Sequence, residues 1–211
     1  SSDVCSSDLE LENCTAVNDS GMEKLAPLVN LRSINLRRSS ISDKGFGLLK
    51  SFPKLEELHL LYTRISNRGL AGLEGMQQVT LLDIRGCATI TDAGLEHLQG
   101  LTNLKILKLR NFGVTNDGLE KLKDLKKLRV LAIEDSEGIT DDGIAYLAEM
   151  TELEDITLMR DGVSDAALET IGKIGSLRRL SLRGCNSVGS PGLVHLKNLD
   201  KLRTLILAET Q

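Results

Sequence analysis

Cysteine, histidine and glycine are the residues of this chain with the most distinctive chemistry. Its 211 residues include four cysteines, three histidines and 19 glycines. Cysteine thiolates and histidine imidazoles bind zinc, paired cysteines form disulfides, and glycine-rich loops hold phosphates. Whether any such site can form depends on which elements hold these residues and how far apart those elements lie.

One unit of 24 or 25 residues repeats along nearly the whole chain. A partial unit from about Leu9 to Asn30 precedes eight units that each begin at an aliphatic residue. With only three Phe, two Tyr and no Trp, the core must consist of many small, similar layers. The eight units begin at Leu31, Leu55, Val79, Leu104, Leu128, Leu153, Leu177 and Leu202.

Two hydrophobic periods in each unit predict a strand followed by a helix. Apolar residues at the fourth and sixth places, such as Leu107 and Leu109, alternate with other residues as in a half-buried strand. Residues three apart, such as Leu119 and Leu122, share one face of a helix. Strands are expected near Ile34–Leu36, Leu58–Leu60, Leu82–Ile84, Leu107–Leu109, Leu131–Ile133, Ile156–Leu158, Leu180–Leu182 and Leu205–Leu207.

A Ser or Thr cap precedes each predicted helix, and an acidic or amide residue follows the cap. In the seventh unit Ser190 is expected to cap and Pro191 to take the first helical position. The helices are expected to begin near Asp43, Asn67, Asp92, Asn116, Asp141, Asp165 and Pro191.

Strand, helix and strand in one direction require a parallel sheet with right-handed crossovers. Helices are wider than the strand spacing of about 4.8 Å, so the stack should curve. The predicted fold is therefore an α/β right-handed solenoid with the sheet on its concave face and short α-helices on its convex face. A single unit cannot bury its own apolar faces, so the units are stable only as a stack.

The cysteines cannot pair within such a stack. Cys14, Cys87 and Cys185 occupy the ninth place of different units, which puts them roughly 14–20 Å or more apart, whereas a disulfide needs Cα atoms within about 7 Å. Other units place Ser or Thr there, and Phe112 and Asp161 break the pattern. We expect a small inward group that accepts from loop N–H groups, with Asp161 either doing the same or turning outward.

The glycine and histidine patterns also favour structural roles. A glycine recurs in the first turn of the predicted helices. Because Ala167 replaces it once, the place requires a small residue that packs against the strand. No phosphate-binding glycine motif is present. His97 and His195 lie about four units apart on helices, and His59 lies on a strand, so we expect no catalytic triad, metal site or cofactor.

The stretch from Leu81 to Leu125 resembles leucine-rich repeats of the cysteine-containing kind, whose "ITDxGLxxL" signature runs here from Ile90 to Leu98. The unit length and the "GLxxLxxLxxL" helix resemble bacterial tandem repeats of the planctomycete type. The repeats of F-box substrate receptors are a more distant resemblance, because a second Cys is missing after the helix. The resemblance covers residues from about 9 to 211 and implies a solenoid that binds other proteins.

The ends of the chain fit the repeat poorly. Residues 1–8, which include Cys5 and several serines, are expected to form a non-native or disordered leader. Residues 9–211 are expected to form the repeat domain. The repeat pattern is incomplete at both ends, which predicts a fragment of a larger protein.

Charge and motif content point to protein binding without catalysis. With 26 basic and 30 acidic residues, the net charge of -4 predicts neither nucleic-acid nor membrane binding. We expect a monomeric protein–protein interaction module that binds a protein or peptide on its concave face. The alternative is the substrate-recognition segment of a larger enzyme or F-box-type receptor. Unpaired buried thiols favour a reducing compartment such as the cytoplasm but do not decide the localisation.

The predicted binding site lies across units three to five. Leu81, Ile106 and Val130 take the outward third place on adjacent strands and should form an apolar stripe about 10 Å long. An apolar centre with arginine at its rim is typical of binding hot spots and would take an apolar anchor with an acidic flank. The alternative is that Arg110 pairs with Glu134 and that the stripe arises by chance. The partner-binding residues are predicted to be Leu81, Arg85, Ile106, Lys108, Arg110, Val130, His59 and Leu61.

Overall fold

The chain folds as a stack of strand-plus-helix units. The computed structural model describes residues 7–210. Within this range one parallel sheet contains nine strands in chain order, and the predicted strands are confirmed, each beginning one residue earlier than expected. Strand β1 precedes the eight predicted ones. The strands are β1 Asp8–Glu10, β2 Ser33–Asn35, β3 Glu57–His59, β4 Leu81–Asp83, β5 Ile106–Leu109, β6 Val130–Glu134, β7 Asp155–Met159, β8 Arg179–Ser181 and β9 Thr204–Ile206.

The core lies on one face of this sheet. In β5, Leu107 and Leu109 are fully buried, while Ile106 and Lys108, which alternate with them, are partly exposed. Helical residues such as Leu119 close the core from the other side. The alternation therefore leaves the third and fifth places of each unit on an uncovered surface, which we call the open face.

The helical layer combines short α-helices with 3-10 helices. Six predicted helix starts are confirmed by α2–α7, and α1 precedes them. The α-helices are α1 Asp19–Leu25, α2 Asp43–Phe46, α3 Asn67–Leu70, α4 Asp92–Leu95, α5 Asn116–Leu122, α6 Asp141–Ala145 and α7 Asp165–Ile171. The 3-10 helices are Gly47–Ser51, Ala71–Leu73, Glu96–Leu98, Tyr146–Glu149 and Gly192–Asn198.

The prediction for the seventh unit was wrong in detail. Its segment is a 3-10 helix that follows Pro191, and it has no side-chain cap. The reason lies in the backbone, because the Leu193 N–H donates to the Ser190 carbonyl at 3.3 Å, an i to i+3 bond.

The first residue of most α-helices binds the cap of the next unit. Asp43 Oδ1 accepts from the Ser66 N–H at 2.8 Å, and Ser66 Oγ donates to Asp43 Oδ2 at 2.5 Å. Where the residue is an amide, as at Asn67, its Nδ2 donates to the Thr91 hydroxyl, and Thr91 then makes no cap bond of its own. Where the residue is an aspartate, the Ser or Thr hydroxyl donates to it, so the hydroxyl oxygen can still accept from an N–H of the helix that it caps. The hydroxyls that cap in this way belong to Ser42, Ser66, Thr115 and Ser164.

This inter-unit bond also explains the recurring glycine. A Cβ on Gly94 would lie 2.5 Å from Asn67 Oδ1 and 3.2 Å from Leu70 Cδ1. A Cβ on Gly69 would lie 2.5 Å from Asp43 Oδ1. The prediction that the glycine packs against the strand was therefore incomplete, because the group that excludes a side chain is the cap-binding residue of the preceding unit.

Most inward groups of the ninth place donate hydrogen bonds, and for these the prediction that they accept from N–H groups was wrong. Thr63 Oγ1 donates to the Leu60 carbonyl at 2.9 Å, and the Cys87 thiol donates to the same carbonyl at 3.2 Å. The Leu60 carbonyl thus accepts from both side chains as well as from the Thr63 N–H. Two residues at this place differ: the buried Ser39 hydroxyl has no hydrogen-bond partner among the described residues, and Asp161 accepts from the N–H groups of Ser136 and Met159.

Candidate functional site

The apolar residues of the predicted stripe lie side by side on the open face. Leu81 of β4 is in register with Ile106 of β5, which is in register with Val130 of β6. All three side chains are half-buried. The same row continues to Glu57 on one side and Asp155 on the other, so a charged residue bounds the stripe at each end.

The fifth place of β3, β4 and β5 is polar. His59, Asp83 and Lys108 follow one another in register across β3, β4 and β5. The His59 ring nitrogen Nε2 lies 3.8 Å from the Glu57 carboxylate. Among the described residues Lys108 makes no ion pair. Burial raises the pKa of Asp155, and the charges of Arg179 and Lys108 oppose this rise. Lys108 is therefore the predicted site cation that remains available to a partner.

Arg85 is held by carboxylates of this chain. Its Nε and Nη2 donate to the two oxygens of Asp83 at 2.9 and 2.7 Å, and its Nη1 donates to Glu134 at 3.1 Å. The hydrogen bonds to Asp83 raise the pKa of Arg85, and burial opposes the rise. Because Arg85 and Glu134 belong to units three and five, the pair ties together units that do not adjoin in sequence.

Arg110 is held in a second cluster. Its Nε donates to Asp135 at 2.6 Å and its Nη1 to the Tyr62 hydroxyl at 3.0 Å. Arg160 donates to the other oxygen of Asp135. The hydrogen bond from Arg160 lowers the pKa of Asp135, and burial opposes this shift. The hydrogen bond from Arg110 lowers the pKa of Asp135 further. The Arg110–Glu134 pair weighed from the sequence is not formed, because each arginine reaches a different carboxylate.

The open face thus has an apolar stripe beside two ion-pair clusters. Arg85 and Arg110 are positioned and partly neutralised, so an acidic flank on a partner would compete with internal carboxylates. The clusters hold the loops of units two to six in one arrangement. Leu61, the last predicted site residue, is half-buried at the start of the loop after β3.

The sequence reasoning missed the loop edge beside Leu61. Tyr62 and Phe112 are exposed there at 41% and 77%. Tyr62 has a φ of 56°, in the left-handed region that favours glycine, and Arg38 and Arg160 share this conformation at the same place of other units. The available signal was Phe112 itself, an aromatic residue at a place otherwise reserved for small inward groups.

Asp161 is a buried carboxyl at the same edge. Burial raises the pKa of Asp161 to about 8, Asp135 and Glu134 add to the rise, and the bonds from the Ser136 and Met159 N–H groups oppose it. Burial also raises the pKa of the Cys185 thiol. Asp161 therefore takes up a proton far more readily than an ordinary surface carboxyl.

This raised pKa predicts a pH dependence of stability. Between the ordinary value of 3.8 and about 8, the folded chain holds the Asp161 proton more tightly than the unfolded chain does. The contribution of this carboxyl to stability is therefore fully present below that window and falls as the pH rises through it. The urea midpoint of the wild type should drop between about pH 5 and about pH 8.5 by more than that of Asp161→Asn.

The exposed Asp200 provides the control for this prediction. Asp200→Asn should keep the wild-type pH dependence. If Asp161→Asn and Asp200→Asn show the same drop, the titration of Asp161 does not contribute.

No metal-binding cluster is present in the part of the chain that the structure describes. Across residues 7–210, no three His, Cys, Asp or Glu side chains are arranged to hold a metal ion. The described cysteines Cys14, Cys87 and Cys185 are unpaired, and Cys5 lies outside the described residues. In the same range no helix is both long enough and apolar enough to cross a membrane.

Comparisons with known proteins agree with the fold. A family model described as a leucine-rich repeat region matches residues 8–207. The solved structure of an internalin (inlF) from Listeria monocytogenes is similar with a TM-score of 0.51 at 20% identity, over 89% of this chain and 63% of that one. The chain thus spans less than two thirds of the internalin's length. No curated protein matches the sequence. The repeats, the continuous parallel sheet and the family-model match over residues 8–207 show that the chain belongs to the leucine-rich repeat family.

Proposed function

We propose that this chain is a protein–protein interaction module that binds a protein or peptide on the open face of its sheet, acting as a monomer and without catalysis. Residues 9–211 would form the binding domain. The observation that carries the proposal is the stripe of Leu81, Ile106 and Val130, three half-buried apolar side chains in register on a face that no other element of residues 7–210 covers.

The stripe suits a partner's apolar side chain because it is already held in place. Each of its residues belongs to a strand hydrogen-bonded on both sides, so binding requires little ordering of this chain. Apolar contact at the centre of such a patch provides most of the binding energy in protein interfaces, while the rim mainly excludes water.

Charge around the stripe indicates the orientation of the partner. Lys108 is the available cation beside Ile106, and the Asp155 carboxylate lies beyond Val130. An acidic group on the partner would therefore be favoured near Lys108 and disfavoured near Asp155. Since Arg85 and Arg110 already bind carboxylates, their role is to hold the loops in place.

A peptide-display selection on the immobilised chain tests the proposal. Enriched peptides should bind Ile106→Asp at least tenfold more weakly than the wild type, a loss of about 1.4 kcal/mol. The reason is that a carboxylate at the centre of the stripe must lose its hydration when the apolar anchor docks.

Lys121→Glu on helix α5 serves as the matched control, because it also introduces a carboxylate but lies in the helical layer. Circular dichroism should show that both variants remain folded. Peptides that bind Ile106→Asp and Lys121→Glu with equal affinity would exclude the stripe as the binding site.

A further inference from the structure

A small apolar pocket lies at the loop edge beside the open face. It measures about 230 Å³ and is lined by Tyr62, Gly86, Ala88, Arg110, Asn111 and Phe112. We call it the Tyr62–Phe112 pocket. The chain has only five Phe and Tyr residues, and the two that are strongly exposed both line it. Exposed aromatic side chains gathered in one place are typical of an interaction site.

Tyr62 is held rigidly on its side of the pocket. Its ring occupies the space above Gly86, where any Cβ would overlap the ring, so this glycine makes room for it. The Arg38 guanidinium lies 5.3 Å from the ring centroid on a cation–π contact, and Arg110 donates to the Tyr62 hydroxyl.

Phe112 lines the pocket because unit four departs from the repeat. Asn111 turns inward instead, where its Nδ2 donates to the Cys87 carbonyl at 2.6 Å and its Oδ1 accepts from the Arg110 N–H at 3.0 Å. These bonds replace those of the usual small group and push Phe112 into solvent.

The size of the pocket indicates what it can hold. Pockets for small organic ligands and cofactors usually measure about 300–1,000 Å³. At about 230 Å³, this one is suited to a single side chain. Its lining is mainly apolar, so the side chain would be apolar too.

Two arginines near the pocket lack carboxylate partners among the described residues. The Arg38 guanidinium makes a cation–π contact with the Tyr62 ring and no ion pair, and Arg64 makes no ion pair either. Arg64 takes the place that Ala88 takes one unit later, and the Thr89 hydroxyl donates to the Ile65 carbonyl, which ties the two loops together. Arg110, by contrast, is neutralised by Asp135. The available charge next to the pocket is therefore positive.

We propose that the Tyr62–Phe112 pocket is a second docking point for the partner protein, and that it takes an apolar side chain flanked by carboxylates. The apolar side chain fills the space between Tyr62 and Phe112, and the carboxylates pair with Arg38 and Arg64. The proposal rests on the proposed function, because it assigns partner contacts to the same protein module, but it depends on different residues.

Three synthetic peptides test this pocket directly. The first is acetyl-Gly-Glu-Glu-Leu-Glu-Gly-amide, the second has Lys in place of each Glu, and the third has Ala in place of Leu. Binding to the whole chain is followed by the amide NMR signals of Gly86, Ala88 and Gly113. The first peptide should shift these signals and bind at least tenfold more tightly than either of the others.

Phe112→Ala should weaken the first peptide at least tenfold, and its fold should survive because Phe112 is 77% exposed. Val194→Ala removes an exposed apolar side chain from a distant unit and should leave the affinity unchanged. Equal binding of the three peptides, or unchanged binding to Phe112→Ala, would overturn the proposal.

The outcome can be separated from that of the stripe. Ile106→Asp should still bind the first peptide, because Ile106 does not line the pocket. If the peptide shifts the Ile106 signal and not those of Gly86 and Ala88, the pocket proposal fails while the proposed function stands. If the pocket binds but Ile106→Asp leaves the selected peptides unaffected, the stripe is excluded and the pocket stands.

Discussion

Leu107→Ala is expected to lower the free energy of unfolding by about 2–5 kcal/mol. Leu107 lies in β5 at the fourth place of its unit, is fully buried, and is in register with Leu82 on one side and Leu131 on the other. Truncation removes apolar contacts to both neighbouring units and leaves a cavity that a regular stack cannot easily close. Stability in a repeat stack is a sum of units and interfaces, so a change in the middle weakens two interfaces at once.

Leu205→Ala, in β9 at the same place of its unit, is the matched control. Leu205 is 41% exposed and pairs with one neighbour, β8, among the described strands. Its truncation should cost clearly less than that of Leu107. Urea unfolding followed by circular dichroism measures both, and equal losses would contradict a core shared between neighbouring units.

Gly94→Leu should cost about 1–3 kcal/mol, because the new side chain has no space between α4 and the preceding unit. Its Cβ would meet Asn67 Oδ1 at 2.5 Å, and Asn67 cannot retreat without breaking its bonds to the Thr91 N–H and hydroxyl. The loss should appear in the thermal melting temperature. Lys121→Leu on α5 introduces the same side chain at the surface and should leave the melting temperature nearly unchanged.

A double mutant identifies the clash partner. Asn67→Ala alone should be destabilising, because it removes two bonds to Thr91. Combined with Gly94→Leu, it should cost less than the sum of the two single changes, because the leucine no longer meets an amide. Strict additivity would show that Gly94 is excluded by some other neighbour.

The strand and helix positions could be predicted because each follows from a periodic pattern repeated eight times. Alternation places Leu107 and Leu109 inward wherever the strand lies, and no distant contact can change that. The glycine place could be predicted only as small. Its cause, the side chain of Asn67 binding Thr91 in the next unit, depends on a contact between residues 24 positions apart.

The site was harder to predict because it depends on departures from the repeat. The stripe follows from register, so Leu81, Ile106 and Val130 could be placed together. The partners of Arg85 and Arg110 could not, since a long side chain reaches several carboxylates and local geometry decides among them. Phe112 was noticed as an exception, but its outward position follows from Asn111 turning inward, which a pattern of residue types does not reveal.

Paramagnetic NMR tests binding on the open face most directly. A nitroxide spin label on a peptide selected against the wild-type chain broadens the signals of residues near the bound peptide. Binding on the open face predicts that the amide signals of Ile106, Lys108 and Val130 broaden while those of Lys121 and Leu122 on α5 stay sharp. Broadening of the α5 signals with sharp Ile106 and Lys108 signals would contradict it.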